Sequence, residues 1–359
     1  MYNLKIAFIV GARPQFVKLA PLMKRSKNKQ DSIIIHTGQH YDGNMSPLFF
    51  KELGIPSPSY NLGIGKNIKG AEQLGLMIIK IAEVFLKEKC SLAVVFGDTT
   101  STLAGALAAA KLGIDAVHIE AGMRSYTDMP EEENRVLTDH LCRYLFCSTQ
   151  QAVKNLKKEN ITSEIYMVGD LMYDNLKEVL KSKRNSDILK RLGLKKKDYY
   201  LLTAHRAENT DNPKRLDNIL TACSQLKKRV VFPVHPRTKN TISNNGKKYK
   251  NIEFTEPVGY IDMVELLKGS DKVLTDSGGL QKEAYILGIP CITLRKETEW
   301  TELVKAGWNI LAGTDKNKIK KAVQSFNPKR TRKKFYGTGR SADKIYRILK
   351  KIVKKRTTC

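Results

Sequence analysis

Short apolar runs alternate with helical patterns through the whole chain, and this alternation is typical of parallel βαβ architecture. The apolar runs of the N-terminal half predict strands at Lys5–Val10, Ser32–Thr37, Leu92–Phe96, Ala116–Glu120, Tyr144–Ser148 and Ile165–Val168. The segments between them predict helices at Phe16–Lys24, Ala71–Lys87, Ser101–Leu112 and Glu131–Leu141. This half is therefore expected to form one doubly wound sheet.

A second set of apolar runs follows the basic, polar stretch Lys181–Asp198. It predicts strands at Tyr199–Ala204, Val230–Val234, Ile252–Phe254, Val273–Thr275 and Cys291–Leu294. The chain is longer than one typical domain of ~100–200 residues. We place the domain change near Val168–Asp174, which gives domains 1–170 and 171–339, with a C-terminal helix at about 340–359 packing back on the first. Two such sheets would place their strand ends around one central cleft, where ligands bind.

Composition excludes several classes of protein. Apolar residues make up 41% and charged residues 28% of the chain, which is ordinary for a folded protein. Met1–Val10 lacks the cleavage site of a signal peptide, and no window reaches the length of a membrane helix. We therefore expect a cytoplasmic protein without membrane insertion. The six cysteines show no CxxC pair and no metal-like spacing, and we interpret them as reduced.

The net charge of +27 raises the question of nucleic-acid binding, because a basic surface attracts phosphate. The lysines are dispersed, however, and they are not interleaved with aromatic residues or part of a recognisable nucleic-acid module. We therefore expect no nucleic-acid partner. A lysine-rich surface also favours an anionic small substrate.

Two glycine-containing segments turn from a predicted strand into a predicted helix. The segment Ser277–Gly279 offers free amides and a positive helix end that suit a pyrophosphate, and Glu283 is placed to accept from ribose hydroxyls. Near the N-terminus, Arg13 and Lys18 bring positive charge to a similar turn. An ordinary turn and solvated cations are the alternatives. The absence of GxGxxG and GxxxxGK[ST] argues against a dinucleotide or P-loop site.

Three carboxylates stand where strands end or helices begin. Asp98 and Glu120 end two successive apolar strands, and Glu131 opens a helix. Strand ends of one sheet gather at one rim, so the three acids are expected to converge. Taken singly, Asp98 is equally an ordinary helix cap, and Glu131 with Arg135 an ordinary i,i+4 pair.

Two histidines, His205 and His235, each follow an apolar strand of the C-terminal half. One such histidine is usually structural, but two at the edge that carries Ser277–Gly279 favour anion binding. HxxxH and HExxH spacings are absent, and we assign no metal.

These residues together resemble the non-hydrolysing UDP-N-acetylglucosamine 2-epimerases. The resemblance runs along nearly the whole chain through GARPQFVKLAPL, HTGQHYD, GDTTSTLAGALAA, HIEAGMRS, MPEEENRVLTDHL, TAHRAEN, PVHPR and DSGGLQKEA. It implies an α/β fold of two Rossmann-like domains of glycosyltransferase-B type, with a central cleft. It also implies a homodimer and a UDP-sugar substrate, with UDP held mainly by the C-terminal domain.

The resemblance further implies roles for the matching residues. Those around the reacting sugar are Asp98, Glu120, Glu131 and His205. Those that bind the nucleotide are Arg13, Lys18, Ser277, Gly278, Gly279 and Glu283, while Arg135 orients Glu131. A second, activating substrate molecule would lie beside Gln39, His40, Arg206 and His235, although Asp42 stands where glutamine is usual.

The chemistry of the family explains this set of residues. C2 has no adjacent carbonyl, so its proton is only weakly acidic. The family therefore interconverts UDP-N-acetylglucosamine and UDP-N-acetylmannosamine by eliminating UDP to 2-acetamidoglucal and adding it back. This needs a base, an acid and cations for the leaving diphosphate, but no cofactor. The sequence leaves open which carboxylate is base and which is acid.

Two departures keep alternatives open. Glu297–Glu302 replaces an ERPE-like segment whose arginine contacts the ligand, and GARPQF, HRAENTDN and TEW look more like the branch acting on UDP-2,3-diacetamido-2,3-dideoxyglucuronate. A cation for that uronate would come from Arg124, Arg206, Arg237 or Arg295. A UDP-sugar hydrolase or a glycosyltransferase is the further alternative, because one fold serves many reactions.

Overall fold

The computed structural model describes residues 5–26, 31–39, 45–65, 68–182, 186–234, 238, 242, 248–329 and 331–357, the side chains at 45, 46, 356 and 357 excepted. The chain divides into two compact units. Unit 1 comprises Met1–Glu178 and Lys334–Cys359, and unit 2 comprises Val179–Lys333. None of the described helices is both long and apolar enough to cross a membrane.

Unit 1 contains a parallel sheet of seven strands. The strands are β1 (Lys5–Val10), β2 (Ser32–His36), β3 (Tyr60–Asn61), β4 (Cys90–Phe96), β5 (Asp115–Ile119), β6 (Tyr144–Cys147) and β7 (Glu164–Met167), in the order β3-β2-β1-β4-β5-β6-β7. The helices are α1 (Arg13–Met23), α2 (Met45–Leu53), α3 (Gly70–Lys87), α4 (Thr100–Lys111), α5 (Pro130–Leu141), α6 (Gln150–Lys158) and α7 (Leu171–Lys181), which continues into unit 2.

Unit 2 contains a second parallel sheet, of six strands. The strands are β8 (Tyr199–Thr203), β9 (Arg229–Pro233), β10 (Ile252–Thr255), β11 (Lys272–Thr275), β12 (Cys291–Thr293) and β13 (Asn309–Leu311), in the order β10-β9-β8-β11-β12-β13. The helices are α8 (Ile188–Arg191), α9 (Ala207–Thr210), α10 (Pro213–Ser224), α11 (Tyr260–Gly269), α12 (Gly278–Leu287), α13 (Thr301–Lys305) and α14 (Lys316–Ser325). A last helix, α15 (Ser341–Thr357), belongs to unit 1.

Both sheets have the strand order of a Rossmann fold, in which the winding reverses next to the first strand. The reversal lies between β1 and β4 in unit 1 and between β8 and β11 in unit 2. The central strands are buried along almost their whole length, as expected when helices cover both faces of a parallel sheet. The prediction of two Rossmann-like halves is confirmed.

The predicted strands are confirmed, with changes at their ends. β5 stops at Ile119 rather than Glu120, because Glu120 has a φ of +73°, which is left-handed backbone and incompatible with a strand. The short strands β3 and β13 were not predicted. Two or three residues are too few to show a periodic pattern.

The start of α15 is fixed by a buried aspartate of α7. Asp174 Oδ2 accepts a hydrogen bond from the Ala342 amide at 2.7 Å, and Arg25 holds Asp343, one residue further, at 3.0 Å. Burial raises the pKa of Asp174 in spite of these hydrogen bonds. A carboxyl group with a raised pKa favours the folded state only while it is protonated.

Replacing Asp174 with asparagine should therefore remove a pH dependence of stability while keeping an acceptor for Ala342. The raised pKa of Asp174 gives a contribution to folding that is fully present below its unfolded-state pKa and is lost as pH rises through its folded-state pKa. The variant should gain stability relative to the parent as pH rises through that range, measured as denaturant midpoints at several pH values. Asp343→Asn serves as the control, and a pH-independent difference for Asp174→Asn would contradict the prediction.

Candidate active site

The reversal points of the two sheets carry the candidate residues. In unit 1, the segment 11–13 follows β1 and the segment 97–99 follows β4; in unit 2, the segment 204–206 follows β8 and the segment 276–278 follows β11. Connections that diverge from such a point leave a crevice in which ligands bind. Each unit therefore offers its own group of functional side chains.

Asp98 lies just beyond β4 and forms an ion pair with Arg135 of α5. The Asn134 side chain donates to the Asp98 carbonyl oxygen at 3.0 Å, so α5 fixes both the main chain and the side chain of Asp98. Helix capping does not explain this aspartate, because Thr99 is the N-cap of α4 and accepts from the Thr102 amide. The Asp98 side chain is 35% exposed and is accessible to a small molecule.

Glu120 lies just beyond β5 and forms a buried ion pair with Lys18 of α1. Phe96 of β4 pairs with Ile119 of β5, which brings Gly97 and Glu120 side by side. A Cβ added at Gly97 would lie 3.1 Å from Lys18 Nζ and 3.4 Å from Glu120 Oε2. Lys18, predicted to bind the nucleotide, is thus also the counter-ion of a candidate catalytic carboxylate.

Glu131 lies in the first turn of α5 and is half-buried. Arg135, predicted to orient Glu131, contacts its main chain. Arg135 Nε donates to the Glu131 carbonyl oxygen at 3.1 Å, and the guanidinium pairs with Asp98 and with Glu132. The Glu131 carboxylate makes no ion pair or hydrogen bond within the described part of the chain.

Two glutamines connect the strand-end segments of unit 1. Gln15, which sequence reasoning missed, is buried; its Oε1 accepts from the Gly11 amide at 2.7 Å and its Nε2 donates to the Phe96 carbonyl at 2.9 Å. Gln39, predicted for a second substrate site, accepts from the Ser101 amide at 2.9 Å and from the Ser101 hydroxyl at 2.7 Å. No pattern in the sequence distinguishes a buried amide of this kind from a surface glutamine.

The two remaining cations predicted for this unit differ in accessibility. Arg13 is half-exposed, with its guanidinium 5.7 Å from the centre of the Phe49 ring. Arg124 is buried and bonded to Asp139 at 2.7 Å and to Glu159 at 2.6 Å. Burial opposes the charge of Arg124, but Glu159 and Asp139 outweigh it and raise the pKa. Arg124 is therefore committed to the interior and is a poor candidate for a uronate ligand.

In unit 2, the predicted phosphate segment lies at the start of α12. Ser277 is the N-cap, and its hydroxyl accepts from the Leu280 amide at 3.4 Å. Gly278 and Gly279 form the first turn and are partly exposed, and first-turn amides have no partner within their own helix. A Cβ at Gly278 would lie 2.2 Å from Glu299 Oε1, so a larger residue here would have to displace the Glu299 carboxylate.

Glu283, predicted to bind ribose, is buried one turn further along α12. The Tyr260 hydroxyl of α11 donates to Glu283 Oε1 at 2.6 Å. Tyr260 was not singled out from the sequence. It holds the Glu283 carboxylate from a neighbouring helix.

His205 and Arg206 follow β8 and are fixed by Asp276, which follows β11. The fully buried Asp276 carboxylate accepts from the His205 amide at 3.0 Å and the Arg206 amide at 3.0 Å. Asn209 of α9 donates to the same carboxylate at 3.1 Å. The His205 side chain is 40% exposed, with Nδ1 3.4 Å from Asp276 Oδ1. The prediction from sequence included His205 and Arg206 but not the aspartate that places both.

The segment that departs from the ERPE-like pattern packs beside the start of α12. Glu299 accepts from Arg295 at 2.8 Å and lies 3.9 Å from Arg206. Trp300 is buried, and Lys282 Nζ lies 4.1 Å from the centre of its ring. Arg206 and Arg295 thus surround a carboxylate next to the predicted phosphate position.

The predicted residues His40 and His235 lie outside the described residues, as do Asp42 and Arg237. Within the part of the chain that the structure describes, no group of three or more His, Cys, Asp or Glu is arranged to hold a metal ion.

Two parallel sheets with flanking helices define an α/β protein of two Rossmann-like halves, and the chain shares this glycosyltransferase-B-like fold with solved epimerases. A crystal structure of Methanocaldococcus jannaschii UDP-GlcNAc 2-epimerase in complex with UDP-GlcNAc and UDP has a TM-score of 0.91 at 46% identity, covering 97% of this chain and 99% of that one.

The sequence comparisons agree. The family UDP-N-acetylglucosamine 2-epimerase matches residues 23–350. A Methanococcus maripaludis UDP-N-acetylglucosamine 2-epimerase homolog is 50% identical over 97% of this chain and 100% of its own length. A Pseudomonas aeruginosa UDP-2,3-diacetamido-2,3-dideoxy-D-glucuronate 2-epimerase is 44% identical over 97% of this chain and 100% of its own length. The chain belongs to the UDP-N-acetylglucosamine 2-epimerase family, a family of isomerases.

Proposed function

We propose that this chain reversibly converts UDP-N-acetylglucosamine to UDP-N-acetylmannosamine by inverting C2. The observation that carries the proposal is the grouping of Asp98 and Glu120 with their two cations beyond adjacent strands, next to the turn that presents Glu131. Carboxylates weaken the binding of an anionic substrate, so their presence in the same unit as Arg13 and Lys18, which are assigned to the nucleotide, favours a role in proton transfer. The relatives named as 2-epimerases support the same activity.

The partners of the three carboxylates support a division of labour. Asp98 pairs with Arg135 and Glu120 with Lys18, whereas the Glu131 carboxylate has no ion-pair partner among the described residues. We assign the transfer of protons to and from C2 to this set, with Glu131 as one of the two partners. UDP is eliminated to give 2-acetamidoglucal and is added back after the proton has reached the opposite face.

The residues of unit 2 support binding of the nucleotide. The first-turn amides of Gly278 and Gly279 suit the diphosphate, because the positive end of a helix stabilises an anion. Glu283, held by Tyr260, is assigned to the ribose. His205, held through Asp276, is assigned to the leaving diphosphate, where hydrogen-bond donors stabilise the charge that develops as the C1–O bond breaks.

The proposal is tested by incubating the purified protein in deuterated water with UDP-N-acetylglucosamine and following C2 by proton NMR. Formation of the C2 epimer with deuterium at C2 is the expected result. Release of UDP without an epimer would identify a hydrolase instead, and no reaction would refute the proposal for this substrate.

A parallel incubation with UDP-2,3-diacetamido-2,3-dideoxyglucuronate tests the second candidate substrate. The 44% identical Pseudomonas aeruginosa relative supports this substrate. Arg206, whose side chain is 18% exposed beside Glu299, is the candidate cation that suits a uronate, whereas Arg295 is buried and bonded to Glu299. Faster exchange and epimerisation of the uronate than of the neutral sugar would assign the chain to that substrate.

We also propose that the chain forms a homodimer through α3. Three apolar or small residues of this helix share an outward face at helical spacing: Gly75, Ile79 and Leu86. Ile79 is 54% and Leu86 64% exposed, and a Cβ at Gly75 would meet no atom within 4 Å. An exposed apolar stripe with a small residue suits close packing against the same helix of a second copy.

Replacing Ile79 with glutamate should convert the dimer to a monomer, because two buried carboxylates would face each other across the symmetric contact. Light scattering after gel filtration should give twice the chain mass for the parent and one chain mass for the variant. Leu180→Glu is the matched control, since Leu180 is 44% exposed on a different helix. A dimeric Ile79→Glu variant would place the interface elsewhere.

Two further proposals remain from the sequence. A second substrate molecule beside Gln39 is supported by the contact of that side chain with Ser101 at the start of α4, close to Asp98.

A cytoplasmic location is supported by the cysteines at 90, 142, 147, 223 and 291, which are buried and unpaired, as is usual in a reducing compartment.

A further inference from the structure

His118, Asp139 and Arg124 form a buried polar cluster in unit 1, close to the segments that carry the candidate carboxylates. His118 lies in β5 and Asp139 in α5, and both side chains are 0% exposed. His118 Nδ1 lies 2.7 Å from Asp139 Oδ1, and Arg124 donates to Asp139 Oδ2 at 2.7 Å. Burial by itself would raise the pKa of Asp139, but His118 and Arg124 outweigh it and hold the pKa below its usual value.

His118 connects Asp139 to the main chain that follows β4. Its Nε2 lies 2.7 Å from the Gly97 carbonyl oxygen, and its Nδ1 lies against the Asp139 carboxylate. Arg124, bonded to the same carboxylate, is also paired to Glu159. The ring therefore links α5 to the segment that carries Asp98.

This cluster touches the main chain on both sides of the candidate site. Gly97 precedes Asp98 and has a φ of +66°. Gly122, two residues after Glu120, donates its amide to Asp139 Oδ2 at 3.0 Å and has a φ of +77°. Glu120 itself has a φ of +73°, a conformation that a residue with a side chain rarely adopts. The cluster thus holds two left-handed turns, one next to each carboxylate.

We propose that His118 and Asp139 are positioning residues that set the separation of the Asp98 and Glu120 carboxylates. Neither touches the substrate. His118 anchors the turn before Asp98 through the Gly97 carbonyl, and Asp139 anchors the turn after Glu120 through the Gly122 amide. This inference rests on the proposed epimerase reaction, in which both carboxylates must lie next to the same sugar ring.

The test compares His118→Asn with His118→Gln in the full-length enzyme. The side-chain amide of asparagine takes the place of His118 Nδ1 and can still bond to Asp139, but it is too short to reach the Gly97 carbonyl. The side-chain amide of glutamine takes the place of His118 Nε2 and can reach the Gly97 carbonyl. His118→Asn should lower kcat by about 10–100-fold, the scale of a 1 Å misplacement at a catalytic site, with KM changed far less. It should also release a larger share of UDP and 2-acetamidoglucal per turnover, because the re-addition of UDP needs both carboxylates in their correct positions. His118→Gln should recover much of the kcat.

The controls separate positioning from stability. His140→Gln changes an exposed histidine adjacent to Asp139 and should be neutral. Ile81→Val removes a methyl group from a fully buried side chain of α3 and shows the effect of lowered stability alone. Equal losses in His118→Asn and His118→Gln, with no change in glucal release, would overturn the inference. If His118→Asn does not fold, Asp139→Asn is judged by the same kcat, KM and glucal-release criteria. An inactive parent enzyme would instead refute the proposed function.

Discussion

Replacing Glu131 with glutamine is expected to lower kcat by about 10²–10⁴-fold, the range for loss of a general acid or base. The change is nearly isosteric and leaves the contacts of α5 intact, because the Glu131 carbonyl, not its side chain, accepts from Arg135. Substrate affinity should therefore change little. Steady-state kinetics with the substrate identified by NMR, together with the rate of deuterium uptake at C2, measure the effect.

The matched control is Glu133→Gln, two residues further along α5. Glu133 also lies in the first turn of the helix and is exposed, so both changes remove one negative charge from the same helix end. A loss of kcat and of deuterium uptake that is confined to Glu131→Gln would identify Glu131 as a residue that transfers a proton at C2. Equal, small effects in the two variants would remove Glu131 from the proton-transfer set and leave Asp98 and Glu120 as its two members.

The fold was largely predictable because its strands are buried on both faces and read as continuous apolar runs. β4 is one example, with six of its seven residues buried. Two edge strands escaped prediction because they are very short. The end of β5 was misplaced at Glu120, since a left-handed glutamate at a strand end is set by its neighbours and leaves no trace in the apolar pattern.

The candidate site was predictable at the level of residues but not of partners. Strand ends and glycine turns indicated Asp98, Glu120 and the segment at 277–279. The ion pairs that set their charges were not predictable, because they join positions far apart in sequence. Lys18 meets Glu120 across 102 residues and Arg135 meets Asp98 across 37. The i,i+4 spacing suggested Glu131 as the partner of Arg135, and Arg135 does contact the Glu131 carbonyl oxygen. The spacing could not show that the guanidinium also pairs with Asp98, which follows β4.

The same physical device recurs in both units. A fully buried aspartate binds main-chain amides of the segment that follows a neighbouring strand: Asp139 binds Gly122 in unit 1, and Asp276 binds His205 and Arg206 in unit 2. Buried carboxylates persist only where several donors satisfy them. These aspartates therefore fix the positions of side chains on the segments that follow the strands.

Replacing Lys18 with methionine is expected to lower kcat/KM by about 10²–10³-fold, comparable with removal of one charge-stabilising donor from a catalytic site. Methionine fills much the same volume but removes the ammonium group. The Glu120 side chain, 11% exposed, would lose the ammonium group that pairs with it. Lys18→Arg, which keeps the charge, should retain more activity than Lys18→Met.

The control for this change is Lys24→Met at the other end of α1. Lys24 also pairs with a glutamate, Glu178, but its side chain is 40% exposed, and an exposed ion pair contributes little. Calorimetric titration with UDP separates the two functions of Lys18. Weakened UDP binding together with the loss of activity would mean that the ammonium serves both the nucleotide and Glu120. Unchanged UDP binding with the same loss would confine it to Glu120, and equal behaviour of Lys18→Met and Lys24→Met would contradict the prediction.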